Sequence, residues 1–210
     1  MSQPTLPTGP GRPKDPAKRQ AILEAAKELF VRNGYDGSSM EAIAAEAGVS
    51  KLTVYSHFTD KETLFCEAVQ AKCAEQVPEL FHEPPADAPT RELLLNIARG
   101  FNRLINSPEA IALSRLMIAQ GGQNPALSQM FFDAGPQRVL DQMERLIAQA
   151  QRKGELREGD ARNAAEHFLM LVQGCLHFRL LIGCVELPPV EESERHVQEV
   201  VELFLRAYRP

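Results

Sequence analysis

The sequence lacks strand-like alternation of useful length, and it lacks an internal repeat. Sheet-based and solenoid architectures are thereby excluded. It has no charged-then-apolar leader, which argues against secretion. Its most apolar stretch, His167 to Leu187, is interrupted by His167, Gln173, His177 and Arg179. A membrane span would not tolerate these cheaply, whereas a buried interface helix would. Cysteine is scarce: four residues, at 66, 73, 175 and 184, with no CxxC and apolar neighbours throughout. Reduced thiols are expected, which suits the cytoplasm. Cys175 and His177 are the only close Cys/His pair, and on a helix they diverge by about 200°. Cys66 and Cys73 share a face, but no third ligand completes zinc spacing. No metal or cofactor is expected. Nor is there a nucleophile elbow, a phosphate loop or a pair of inward carboxylates, so no enzymatic chemistry is expected.

Net positive charge is also missing. The 210-residue chain carries a formal −5. The imbalance is local, however. Residues 1–63 hold eight basic and eight acidic residues, so the deficit falls on the remainder. Arg12, Lys14, Lys18 and Arg19 lie close together with only Asp15 opposing them. A compact contact with nucleic acid needs only such a strip.

Helical punctuation is abundant. Residues 1–13 hold four prolines among Ser, Thr and Gly and read as an arm. Asp15-Pro16 caps a first helix with a buried stripe of Ile22, Ala26, Leu29 and Phe30, stopped by Asn33-Gly34. Ser38-Ser39-Met40-Glu41 reads as a capping box with Ser38 at N-cap, and Gly48 permits a sharp turn. Thr59-Asp60-Lys61-Glu62 reads as another box, opening a fourth helix. Residues 81–89 break the chain before a fifth helix, about Thr90 to Ile105. Ser107-Pro108 opens a sixth and Asn124-Pro125 a seventh, bent near Gly135-Pro136. Asp160 caps an eighth, and a ninth runs from about Glu191 to Tyr208.

The densest information lies in Gly48 to Phe58. At about 100° per residue, Val54 and Phe58 fall on one side of a short helix. Leu52, Thr53 and Ser56 face away from them. Lys51 and Tyr55 flank one edge, His57 the other. Ser50 can cap the helix and leave its N-terminal N–H groups open to a phosphate. Helix, Gly turn, helix is the helix-turn-helix pattern.

Residues 17–66 resemble the N-terminal domain of TetR-family transcriptional regulators. The resemblance rests on Ala21-Ile22-Leu23-Glu24-Ala25-Ala26, Leu29-Phe30, Gly34-Tyr35, Ser39-Met40-Glu41-Ala42-Ile43-Ala44, Ala47-Gly48-Val49-Ser50-Lys51, Thr53-Val54-Tyr55-Ser56-His57-Phe58, Lys61-Glu62 and Leu64-Phe65. Phe101, Ser107-Pro108-Glu109-Ala110, Arg115 and Gly135-Pro136-Gln137-Arg138-Val139-Leu140 are similar to the subgroup with an AefR-type C-terminal domain. The resemblance implies an all-α homodimer, to which the punctuation above gives about nine helices. It divides the chain into an arm, 1–14, a three-helix DNA-binding domain, 15–60, and a ligand-binding and dimerisation domain, 61–210.

It also implies roles. Lys51, Leu52 and Thr53 would sit at or near bases in the major groove, with Ser56 on the same outer face. Leu52 suits a thymine methyl, or is simply a tolerated surface leucine. Ser39, Tyr55, His57 and Lys61 would contact phosphates. Gly11-Arg12-Pro13 resembles short cores that place Arg in a narrow A·T minor groove, with Lys14 alongside. The other reading is a tail without defined contacts.

In the second half, Phe101, Met117, Phe131, Met143 and Phe168 are expected to line a pocket for a small effector, since bulky and adaptable side chains suit a variable shape. For any single one of them, ordinary core is the simpler reading. Polar residues in apolar helices, Asn102, Arg115, Gln173 and His177, are pocket clues, partners of buried backbone or members of the dimer seam. Leu176 of the eighth helix and Val197, Val201 and Phe204 of the ninth are expected to form a dimer seam.

The resulting expectation is a repressor that binds a double-stranded operator and is released by a small apolar or amphipathic effector. Two rivals stand beside it: a regulator responding through thiol oxidation, and a helical small-molecule enzyme or carrier.

Overall fold

The computed structural model describes residues 15–80 and 88–210, with side chains omitted for 73–80. Its described residues form ten α-helices and no strand: α1 Pro16–Asn33, α2 Met40–Glu46, α3 Lys51–His57, α4 Lys61–Leu80, α5 Thr90–Ile105, α6 Pro108–Gly121, α7 Pro125–Ala134, α8 Pro136–Arg152, α9 Ala161–Leu181 and α10 Val190–Tyr208. The expected bend near Gly135-Pro136 is a full break, which makes two helices of the seventh. Contacts divide the chain into two units, 1–65 and 66–210, and α4 begins in the first and runs into the second.

In the first unit Ile22, Ala26, Leu29 and Phe30 of α1 are buried with Met40, Ile43 and Ala44 of α2. Phe30 meets the ring of Phe65 edge-on at 4.9 Å, and Tyr35 does so at 5.1 Å. Such pairs add about 0.5–1.5 kcal/mol beyond their burial. Asp15 caps α1 through the N–H of Ala17. The second cap differs from expectation. Ser39, not Ser38, accepts from the N–H of Ala42. Ser38 is buried, and its hydroxyl is spent on the carbonyls of Leu29 and Gly34, which ties the α1–α2 corner. Asp60, not Thr59, likewise caps α4 by accepting from Thr63 N at 2.7 Å. A charged acceptor at a helix N-terminus outdoes a hydroxyl.

In the second unit α5, α8, α9 and α10 share one core, drawing Leu94 and Phe101, Met143 and Ile147, Phe168 and Val172, and Val197, Val201 and Phe204 from the four helices in turn. Phe168 packs edge-on to Phe204 at 5.0 Å. Val197, Val201 and Phe204, expected on a dimer seam, are therefore interior residues of the single chain. A sequence stripe shows that a face is covered, not by which chain, and α10 packs on α5 and α9 of its own protomer.

Polar contacts hold the same helices. Arg99 of α5 clasps Glu194 of α10 through Nε and Nη2. Arg162 of α9 meets Asp141 and Glu144 of α8. Glu155 stands in for the missing cap of α5, accepting from both the N–H and the hydroxyl of Thr90.

Gly174 interrupts α9 with φ 55° and ψ −174°. His196 Nε2 of α10 lies 3.0 Å from the Val172 carbonyl beside the break. A Cβ on Gly174 would approach that imidazole to 3.1 Å. Both the positive φ and the ring favour glycine.

Candidate nucleic-acid interface and interior polar site

The geometry of α3 follows from its two faces. Val54 and Phe58 are fully buried. Each contributes about 1.5–3 kcal/mol of apolar burial. That anchoring fixes what points outward. Leu52 is 80% exposed, and Lys51, Tyr55 and Ser56 are exposed beside it. Thr53 and His57 are half-buried. Gly48, at φ 64°, makes the turn from α2, and Val49 N–H returns to the Ala44 carbonyl.

Several outer groups already have partners. Ser50 caps α3 through Thr53 N, and its hydroxyl lies 2.8 Å from that of Thr53. Ser56 donates to the Thr53 carbonyl. Lys51 pairs with Glu41 of α2. The ammonium hydrogen bond holds the Glu41 carboxyl below its ordinary range, and the carboxylate raises Lys51 in return. Lys61 lies 4.2 Å over the ring of Tyr35. Arg19 sits 5.2 Å over Phe58, so one member of the basic strip covers the core. His57 Nδ1 is buried with no hydrogen-bond partner among the described residues. Ser39 is exposed at the start of α2. Arg12 and Lys14 lie outside the described residues.

In the second unit Phe101, Met143 and Phe168 come together in the shared core. Met117 is buried on α6, outside that cluster, and Phe131 and Gln173 are half-buried on α7 and α9. Arg115 serves the backbone: its guanidinium donates to the carbonyls of Leu180 and Leu181 at the end of α9. Besides Thr90, the buried polar side chains among the described residues of this unit are three, Asn102, Asn106 and His177. His177 Nδ1 lies 3.1 Å from Asn106 Oδ1. Burial pushes the His177 imidazole below its ordinary pKa, towards the neutral form. The side-chain nitrogens of Asn102 and Asn106 have no hydrogen-bond partner among the described residues. A buried donor left in that state costs about 1–3 kcal/mol. Asn102 and His177 were visible as polar interruptions in the sequence. Asn106 was not, because it falls at a helix end where Asn is unremarkable.

A helix held by its inner face, turned at a glycine from a capped helix and offering an exposed outer face of mixed chemistry, is a helix-turn-helix nucleic-acid-binding element. The comparisons agree. Residues 22–68 match the model for bacterial regulatory proteins of the tetR family. Residues 92–210 match the C-terminal domain of AefR-like transcriptional repressors. This chain belongs to the TetR family and is a DNA-binding transcriptional regulator. A crystal structure from Mesorhizobium loti MAFF303099, described as a TetR-family transcriptional regulator, superposes with a TM-score of 0.83 at 32% identity, covering 92% of this chain and 97% of the other. The flavonoid-responsive regulator FrrA gives 0.74 at 29% identity, covering 93% and 99%. The HTH-type transcriptional regulator YdeS of Bacillus subtilis (strain 168) is 28% identical over 176 residues, 82% of each chain. Among the described residues no helix is long and apolar enough to cross a membrane.

Proposed function

We propose that this chain is a homodimeric cytoplasmic repressor that leaves a near-palindromic operator when a small apolar or amphipathic effector enters its C-terminal part. The observation that carries the DNA half is the outer face of α3. Lys51, Leu52 and Tyr55 are exposed while Val54 and Phe58 anchor the helix from behind. In this reading Lys51, Leu52, Thr53 and Ser56 face base edges. Ser39, Tyr55, His57 and Lys61 hold phosphates, and Arg12 and Lys14 of the arm add a minor-groove contact. Residues 15–60 do the binding, and 61–210 carry the effector and dimer functions.

The dimer is assigned to apolar side chains that the single chain leaves uncovered. Met170 and Phe178 of α9 and Leu203 of α10 are each more than half exposed, with Leu176 half-buried near them in sequence. An uncovered apolar surface of this kind suits an isologous contact. The effector role draws support from the FrrA relative, named for its response to flavonoids. The pocket is assigned to Phe101, Met117, Phe131, Met143, Phe168 and Gln173. A bound effector must favour the conformation whose recognition helices no longer match half-sites about 34–36 Å apart.

Fluorescence anisotropy on the DNA flanking the chain's own gene tests the reading. Tight binding to a near-palindrome, falling steeply with salt, is the expected result. Binding that ignores sequence would overturn it. A second reading, thiol control, is favoured by one observation: Cys175 and Cys184 are free and exposed. Loss of operator affinity on oxidation, reversed by reductant and absent when both cysteines are replaced by serine, would establish it instead.

A further inference from the structure

We infer that Asn102, Asn106 and His177 form the polar end of the effector site and select an uncharged ligand bearing an oxygen acceptor, such as an aromatic ketone. The inference rests on the effector reading above and gives it a chemical class.

Asn102 of α5, Asn106 at its C-cap and His177 of α9 are buried polar side chains. The Asn106 N–H donates to the Asn102 carbonyl at 3.2 Å, so the helical turn persists between them. Residues four apart on a helix project to the same side, so the two amides are neighbours. Asn106 Oδ1 meets His177 Nδ1 at 3.1 Å. With the Asn106 amide in this orientation its oxygen accepts, which pairs with the tautomer that carries the proton on Nδ1 and a lone pair on Nε2. The amide nitrogens of both asparagines are buried and without a partner among the described residues. Asn102 is 7% exposed and Asn106 4%. The group therefore offers unused donors and one imidazole lone pair to whatever shares the interior with it.

Protein interiors rarely keep such donors idle; a water or a ligand oxygen pairs them. An oxygen on a ligand would restore the lost bond. The charge of that ligand follows from the surroundings. The three side chains are neutral, since burial disfavours the imidazolium. Arg115, the cation on the neighbouring α6, is turned onto the carbonyls of Leu180 and Leu181. A carboxylate brought here would shed its hydration against neutral donors alone. A carbonyl or ether oxygen loses far less.

Calorimetry with the full-length protein tests this, using three probes of similar apolar bulk: benzophenone, diphenylmethane and diphenylacetate. Benzophenone should bind the wild type at least about ten-fold tighter than diphenylmethane, because only it repairs the donors. It should also be the one that lowers operator affinity. Asn102→Leu, or Asn106→Leu if the first folds poorly, should erase the preference for the ketone over the hydrocarbon while ligand-free operator affinity, which belongs to residues 15–60, stays put. Equal binding of the ketone and the hydrocarbon by the wild type would overturn the inference and leave the effector reading standing. Tightest binding of diphenylacetate would overturn the uncharged class. No binding of any probe up to its solubility, with operator affinity untouched, would overturn the inference together with the effector reading.

Discussion

Lys51, the first residue of α3, is ion-paired with Glu41 of α2. The residue assigned to base reading is thus held by an acid within its own helix-turn-helix. Glu41 fixes the ammonium near the recognition face and also competes with DNA for it. Glu41→Gln should tighten operator binding about two- to five-fold at low salt, since an exposed pair is weak and the lost charge also repels phosphate. Lys51→Ala should flatten base preference by roughly ten-fold at one or two positions. Anisotropy across a panel of single-base operator variants separates the two. A weaker Glu41→Gln protein would mean that positioning outweighs competition.

Lys61 should behave differently. It stands at the start of α4 over the Tyr35 ring. Lys61→Ala should weaken all sequences alike and make the slope of log K against log salt shallower by about 0.9 per half-site. Titrations at several salt concentrations, on operator and on random duplex, measure both quantities. A change in sequence preference would remove Lys61 from the phosphate set.

Glu194 gives a prediction in pH. The Arg99 guanidinium lowers its carboxyl from 4.5 to about 2. A depressed carboxylate stabilises the fold fully above the unfolded pKa and loses that contribution as pH falls through the folded one. The Tm advantage of wild type over Glu194→Gln should therefore be constant above about pH 4.5 and shrink steadily towards pH 2. Both side chains are about a third exposed, so solvent screening keeps the advantage small. Calorimetric scans of the two proteins side by side read it. An advantage that grows on acidification would refute the pairing.

Phe204 and Phe178 should fail in different ways. Phe204 is fully buried between Phe168 and Tyr208, while Phe178 is 62% exposed. Phe204→Ala should cost the protomer about 3–5 kcal/mol of folding stability. Phe178→Glu should leave secondary structure intact and yield monomers in sedimentation, with operator affinity falling in parallel. A Phe178→Glu protein that remains dimeric would move the seam elsewhere.

The helix boundaries show what the sequence carries. The fifth helix, read as about Thr90 to Ile105, is Thr90–Ile105, because the break over 81–89 before it and Ser107-Pro108 after it are strong local signals. The inner and outer faces of α3 were equally plain, since seven residues need only local periodicity. What failed was partner choice. Ser38 and Ser39 are equivalent as N-caps on paper, and only the distant Leu29 carbonyl decides which hydroxyl is spent elsewhere. Val197, Val201 and Phe204 formed a clear stripe, yet a stripe has no label for own chain or partner. Asn106 and Glu155 act across 71 and 65 residues, on His177 and Thr90. No window along the chain spans that distance.

The break at Gly174 resets the phase of α9. In an uninterrupted helix, residues seven apart return to within about 20° of the same face. Here they do not. Phe168 is wholly interior and Cys175 exposed, whereas Met170 is exposed and His177 interior. The two halves of α9 are thus out of register, as if one segment had been rotated under the other. Without that offset the heptad would carry Cys175 inward after Phe168 and His177 outward after Met170. One glycine therefore decides which of a thiol and an imidazole faces Asn106. A helix wheel drawn straight through residue 174 assigns both to the wrong side.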